Sequence, residues 1–158
     1  MTPAILALEA VNQPYRLLHY SHTGSGLGYG EEAVAELGLD PKKVFKTLLA
    51  ELHHGEIVVC VVPVSFLLNL KALSKVTKVK KAVMAPKSIA QKRTGYVLGG
   101  ISPFGQTRSH RTFIDESALA FDEVYVSAGK RGVELAIDPE VFSVVLDATF
   151  TRLTEEQL

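Results

Sequence analysis

The chain has 158 residues, 47% hydrophobic and 22% charged, with 17 Lys/Arg balanced by 17 Asp/Glu. That length and composition predict one globular domain over residues 1–158 and exclude a disordered or fibrous chain. No apolar run reaches the roughly 18 residues of a membrane span, residues 57–70 being broken by Pro63, Ser65 and Asn69, and the single cysteine, Cys60, excludes an internal disulfide framework.

Residues 2–12 predict an opening helix, with Thr2 as N-cap, Pro3 in the first turn and Ile5, Leu8 and Val11 on one face. Residues 15–20 read as a strand. Gly24, Gly26, Gly28 and Gly30 then read as a mobile loop, lacking the strand-to-helix spacing and the Gly-Lys-Ser/Thr of a nucleotide-binding loop. Residues 31–39 predict a helix ending before Asp40-Pro41. Strands over 44–52 and 56–62 are joined by His53-His54-Gly55 as a hairpin. Asn69 caps a helix carrying Leu70, Leu73 and Val76, a short strand covers 80–84, and Pro86 opens a helix that Thr94-Gly95 closes. Strands follow at 112–114, 123–126 and 133–137, then a helix over 139–146. This irregular alternation around a central hairpin predicts an α+β fold with a mixed sheet.

The zero net charge conceals a segregation. Residues 1–56 hold 4 Lys/Arg and 7 Asp/Glu, residues 57–114 hold 10 and none, and residues 115–158 hold 3 and 10. Lys71, Lys75, Lys78, Lys80, Lys81, Lys87, Lys92 and Arg93 supply most of the acid-free third. Such a cluster suits a polyanion or phosphate partner, or else a solvated helix face. Within the same third, residues 94–105 hold four glycines, a serine and a proline between apolar segments. They form either a bare turn or a loop whose main chain lines a site.

Lys46 lies in an apolar strand, alternating with Val44, Leu48 and Ala50 on one face while Phe45, Thr47 and Leu49 take the other. Its ammonium either enters a pocket that receives an anion or snorkels at a sheet edge. Tyr20 ends its strand where a hydroxyl reaches a cleft or packs half-buried. His19 and His22 lack the further ligands of a zinc site, and Cys60 reads as a small buried hydrophobe. Ser102 has neither a nucleophile elbow nor an evident His base. With no protein nucleophile, metal or cofactor indicated, an enzyme built on this chain would work by positioning and electrostatics.

Thr94-Gly95-Tyr96 followed by Gly99-Gly100-Ile101-Ser102-Pro103 resembles the signature loop of the YbaK/EbsC family, trans-editing aminoacyl-tRNA deacylases. Four further segments agree in order and approximate spacing: Thr2-Pro3-Ala4, Gly30-Glu31-Glu32-Ala33, Val44-Phe45-Lys46-Thr47-Leu48 and residues 125–132. The chain is most similar to the YbaK branch, whose members resemble the editing domain of bacterial prolyl-tRNA synthetases. The resemblance implies a barrel-like α+β fold and removal of cysteine mischarged on proline tRNA, and the lone Cys60 fits a reducing cytoplasm. It places Lys46 near the 3′-terminal adenosine and the carbonyl, with Tyr20 beside it. Gly99, Gly100, Ile101, Ser102 and Pro103 would line the site, and Ser127 and Gly129 its opposite wall. It also implies that the substrate's own thiol attacks the carbonyl and expels the tRNA. Partners would be tRNA, held through Lys71, Lys75, Lys78, Lys80 and Lys81, and prolyl-tRNA synthetase. The alternatives are a tRNA-binding module of the same fold without catalysis, or a deacylase for another amino acid such as alanine. Residues 21–26 are glycine-rich where the family pattern is acidic and polar, which bears on amino-acid preference.

Overall fold

Thr2 starts the first helix as its N-cap, accepting the Ile5 N–H at 3.3 Å, with Pro3 at the first turn. In the computed structural model, which describes residues 1–21 and 28–155, this helix, α1, runs Pro3–Ala10 and β1 runs Arg16–His19. Then come α2 (Tyr29–Leu37), β2 (Phe45–Leu52), β3 (Ile57–Pro63), β4 (Leu67–Leu68), α3 (Leu70–Thr77), β5 (Ala82–Met84) and α4 (Lys87–Thr94). The chain continues through β6 (Thr112–Asp115), a 3₁₀ turn at Glu116–Ala120, β7 (Val124–Ser127), β8 (Val133–Ile137), α5 (Glu140–Leu146), β9 (Thr149–Thr151) and β10 (Thr154–Glu155).

The larger sheet has the order β5-β2-β3-β6-β9, antiparallel among its first three strands and parallel from β3 to β9. A second sheet, β1-β8-β7, is antiparallel throughout, and β10 pairs with β4. The expected mixed α+β fold is present. The barrel-like core does not close: the described strands form these three sheets, the two larger ones meeting at a parallel bridge between Val44 and Tyr125.

The strand β3 explains the larger sheet. All seven of its residues are buried, the pattern of a strand covered on both faces. Val59 and Val61 join a core cluster with α1, β7, β8 and α5, while Val58, Cys60 and Val62 join another with Leu73 of α3 and Leu153. Each fully buried Val or Leu contributes about 1.5–3 kcal/mol, so this strand anchors both layers. The same alternation splits β2: Phe45 and Leu49 face the first cluster, and Leu48, Ala50 and Leu52 the second.

Three short strands, β4, β9 and β10, have no counterpart in the sequence pattern. Asp115 explains the C-terminal path. It is buried, its Oδ1 accepts the Leu153 N–H at 2.8 Å and its Oδ2 accepts the Ser117 N–H at 3.2 Å. One carboxylate therefore fixes both the 3₁₀ turn and the returning chain. The expected mobile loop needs correcting at its end, because Gly28 is the N-cap of α2 and Gly30 lies inside that helix. His22, Gly24 and Gly26 lie outside the described residues. The strand expected over 15–20 is confined to Arg16–His19.

Candidate active site

The antiparallel ladder between β2 and β3 leaves one edge of β2 open. Val44 accepts the Val64 N–H at 2.8 Å and Leu52 donates to Glu56 at 2.8 Å, so even-numbered residues bond toward β3. By the alternation of such ladders, the main-chain groups of Phe45 and Thr47 point the other way. There β5 pairs with Ala50 to Leu52, and the Leu49 carbonyl accepts the Ala85 N–H at 3.0 Å. The Lys43 carbonyl accepts the Tyr125 N–H of β7 at 2.9 Å, so the open stretch lies between these, around Thr47. A cavity of about 320 Å³ lies along this edge, within the range of small-ligand pockets. Its other walls are the first turn of α2, Leu98, Gly99 and Ile101 of the glycine loop, Lys87 at the start of α4, and Ser127 and Glu134 on neighbouring strands.

Lys46 lines this cavity, one step beyond Leu48 on its strand face. Burial pushes its ammonium below the ordinary lysine range, and the negative charge of Glu31 partly restores it. Tyr29 is 42% exposed and its ring carries the Arg131 guanidinium 4.3 Å from its centroid. The glycine loop closes on that ring. Gly99 has φ +87°, and a Cβ there would lie 2.5–2.6 Å from Tyr29 ring atoms. Gly100 approaches the 129–132 turn, where a Cβ would lie 3.1 Å from the Lys130 Cα. Tyr96 anchors the loop from beneath, its buried hydroxyl donating to the Phe104 carbonyl at 2.6 Å. Its pKa is pushed up to about 12 by burial.

Glu134 has the least ordinary setting. It is only 5% exposed and lies directly across the ladder from Ser127 on β7 and from Leu18 on β1. Its Oε2 has no hydrogen-bond partner among the described residues, and burial pushes its carboxyl up to about 8. Thr47 Oγ1, in the same cavity, is also buried without a partner among the described residues. Ser127 Oγ accepts the Gly129 N–H at 3.1 Å, which fixes the turn after β7.

Of the site residues expected from sequence, Lys46, Gly99, Ile101 and Ser127 meet in this cavity. Tyr20 is half-buried beside it, its N–H donating to the Gly132 carbonyl at 2.9 Å. Burial raises its hydroxyl pKa foremost, the Gly132 main chain lowers it, and Glu134 and Glu32 add to the rise while Arg131 opposes it. Gly100, Ser102, Pro103 and Gly129 sit behind the lining. Ser102 is fully buried, its Oγ accepting the Phe104 N–H at 3.3 Å, so its place here is to shape the turn. Cys60 is buried on β3, its thiol pushed up to about 12, and is inert as a nucleophile.

Tyr29 and Glu134 were not expected at the site from sequence, while Glu31 and Thr47 entered only within family segments and Lys87 only within the basic cluster. Glu134 carried a readable signal: an acid between Val133 and Leu135 in an otherwise apolar strand. Tyr29 was hidden by its flanking glycines. Lys71, Lys75, Lys78, Lys80 and Lys81 are all exposed on α3 and the approach to β5. None of them has an ion pair among the described residues. The basic stretch reaches the cavity through Lys87.

Residues 28–143 match the family model of the aminoacyl-tRNA editing domain. An Enterococcus faecalis protein named "Putative Cys-tRNA(Pro)/Cys-tRNA(Cys) deacylase EbsC" is 32% identical over 157 residues, covering 99% of this chain and 94% of its own length. A solved structure described as "Crystal structure of hypothetical protein APE2540" superposes with a TM-score of 0.86 at 21% identity, covering 98% of this chain and 100% of that one. Another, described as "Crystal structure of a putative trans-editing enzyme for prolyl tRNA synthetase", has a TM-score of 0.81 at 17% identity and covers 98% and 99%. The solved structures share the fold, the family match spans every element that walls the cavity, and the relative aligns nearly end to end: the chain belongs to the aminoacyl-tRNA editing domain family.

Proposed function

We propose that this protein is a cytoplasmic, trans-acting deacylase that removes cysteine from mischarged proline tRNA. The observation that carries this reading is the composition of the cavity. It offers an ammonium, hydroxyls and an open strand edge, yet its described lining holds no cysteine or histidine to serve as nucleophile or base. Of the lining hydroxyls, Ser127 Oγ accepts the Gly129 N–H and Thr47 Oγ1 has no described partner to serve as its base, so in this reading the attacking group comes from the substrate or from water, and cysteine brings a thiol.

In this reading the aminoacyl ester lies along the β2 edge with its carbonyl near Lys46. The substrate sulfur bonds to the carbonyl carbon, the ester C–O bond to the ribose breaks, and the thiol proton ends on the departing 3′-oxygen. Water then opens the resulting cyclic thioester to free cysteine. The Lys46 ammonium stabilises negative charge on the carbonyl and leaving oxygens, and its lowered pKa eases proton movement to that oxygen. Gly99, Gly100 and Ile101 hold the loop against the aminoacyl end, with Ser102 and Pro103 setting its turn. Ser127 and Gly129 shape the opposite wall, and Tyr20 supports that wall beside Glu134.

Lys71, Lys75, Lys78, Lys80 and Lys81 supply phosphate affinity along a path that ends at Lys87. Phosphate contacts position a nucleic acid without reading its sequence. Proline tRNA is therefore selected with help from a bound prolyl-tRNA synthetase, a reading in keeping with the trans-editing enzyme for prolyl tRNA synthetase whose fold the chain shares. Among the described residues no helix is long and apolar enough to cross a membrane.

The test is a deacylation panel of cysteine-, alanine- and serine-charged proline tRNA. Cysteine should be released and the other two spared. Losing one such electrostatic group costs about 2.7–4 kcal/mol, roughly 10²–10³ in rate, so Lys46→Ala should slow release by that factor. Equal release of serine and cysteine points to an activated water instead. Tight, salt-sensitive tRNA binding without release points to a binding module.

A further inference from the structure

Glu134 stands outside the chemistry above, and its environment calls for a ligand. A carboxylate buried without a partner costs several kcal/mol, so such a group is retained where something compensates it. Its Oε2 has no partner among the described residues, and the side chain lines the cavity. Lys46 and Lys87 line the same cavity, but neither forms an ion pair with Glu134 among the described residues. Burial is what raises its carboxyl to about 8, so the group keeps its proton at neutral pH while the cavity is empty.

Resting on the aminoacyl-tRNA reading above, we propose that Glu134 receives the α-ammonium of the aminoacyl group, so that the site accepts tRNA carrying a free α-amine and refuses N-acylated or peptidyl-tRNA. An aminoacyl-adenosine offers several hydrogen-bonding groups here, including the 2′-hydroxyl, the adenine edge and the side chain. The α-ammonium alone carries the positive charge that compensates a buried carboxylate. An α-amino group titrates near pH 7.7–8.0, close to the carboxyl it meets. When the free amine enters, the Glu134 proton passes to it and an ammonium–carboxylate pair results. When the ammonium enters, the Glu134 proton leaves to solvent. Either way the pair holds a single proton. An N-acyl group has no amine to protonate, so it leaves Glu134 neutral and displaces its only matching partner.

The charged or titratable groups that share the cavity with Glu134 are Tyr29 and Glu31 on α2, Lys46 on β2 and Lys87 on α4, and Tyr20 after β1 feels Glu134 together with Glu32 and Arg131. A bare pH profile therefore mixes several titrations. The decisive comparison uses stable 3′-amide analogues of cysteinyl-adenosine, with the α-amine free or N-acetylated, measured calorimetrically in two buffers of different ionisation enthalpy. Breaking a buried charge pair costs 2–5 kcal/mol, roughly 30-fold or more in affinity. The wild type should bind the free-amine analogue at least about 30-fold more tightly at pH 7, with proton release near that pH. In Glu134→Gln, which keeps the shape of the side chain, the preference and the proton release should both vanish. Glu134→Asp should retain part of each. Equal affinity of the wild type for both analogues, or an undiminished preference in Glu134→Gln, overturns the assignment. Because binding is read without turnover, a protein that prefers the free amine but releases no cysteine from tRNA keeps the ammonium site and loses the deacylase reading instead.

Discussion

Lys46 is held in the folded chain at a cost, because half-burial disfavours its ammonium. A lysine whose folded pKa lies below its unfolded value of 10.5 destabilises the fold while charged, and stability recovers as pH rises through the window between the two values. Lys46→Met should therefore raise the melting temperature at pH 7, with the gain shrinking toward pH 10.5, while slowing cysteine release about 10²–10³-fold. Thermal unfolding at several pH values alongside deacylation separates the two effects. A variant that loses activity and stability together would mean the lysine has a structural partner. Gly99 makes the complementary case. A left-handed backbone costs a non-glycine residue about 1–2 kcal/mol, and here the added methyl also meets the Tyr29 ring. Gly99→Ala should lower stability by at least about that amount in denaturant titration and reduce kcat/KM by displacing Tyr29. The same change at Gly55, which has φ +99° with open space around its Cβ position, should lower stability and leave kcat/KM near wild type.

At the scale of elements, α3 and the approach to β5 carry exposed lysines with no ion pair among the described residues. Every phosphate contact removed should reduce the dependence of log KM on log salt concentration by about one unit. Lys71→Gln with Lys75→Gln should lower the slope by about two if both contact tRNA phosphate. KM measured across a potassium chloride series reads this directly, and an unchanged slope would mark that face of α3 as merely solvated. This basic stretch was legible because an acid-free run of 58 residues shows in the sequence without any fold. The strand β3 was legible too, since a seven-residue apolar run in a hairpin has little else to become. The beginning of α2 was not: Gly28 and Gly30 read as loop, yet Gly28 caps a helix whose first turn carries Glu31 and Glu32, acids that suit its positive end. The strands β9 and β10 escaped notice for a different reason. They hold three and two residues, too short for periodicity, and depend on the Asp115 side chain brought from a distant strand. Tertiary contacts of that kind leave no local pattern. Lys46 and Glu134 carry the same kind of signal, a charge among apolar neighbours, which singled out Lys46 on β2 and was not read on β8.

At the scale of the whole molecule, two charges that burial disfavours share one cavity. Lys46, Glu134 and the left-handed Gly99 border one cavity, while β3 and the two clusters it joins contribute the burial that offsets them. That arrangement predicts a pH dependence of global stability with a definite sign. The folded pKa of Glu134, about 8, lies above its ordinary value of 4.5, so the folded state binds the extra proton between those values. The contribution is fully present below pH 4.5 and is lost as pH rises through about 8. Glu134→Gln carries no such titration. It should match the wild type near pH 4 and become progressively more stable than it toward pH 9. Burial and the positive charges of Arg93 and Arg108 push His110 below its ordinary pKa, so it works in the opposite sense, with stability rising as it loses its proton. His110 is present in both proteins, and subtracting one stability curve from the other cancels it. Denaturant midpoints of wild type and Glu134→Gln, taken every pH unit from 4 to 9, therefore isolate this one carboxyl. Parallel curves would show that Glu134 is already ionised and compensated in the free protein, and the cavity would then have no need of a cationic ligand to complete it.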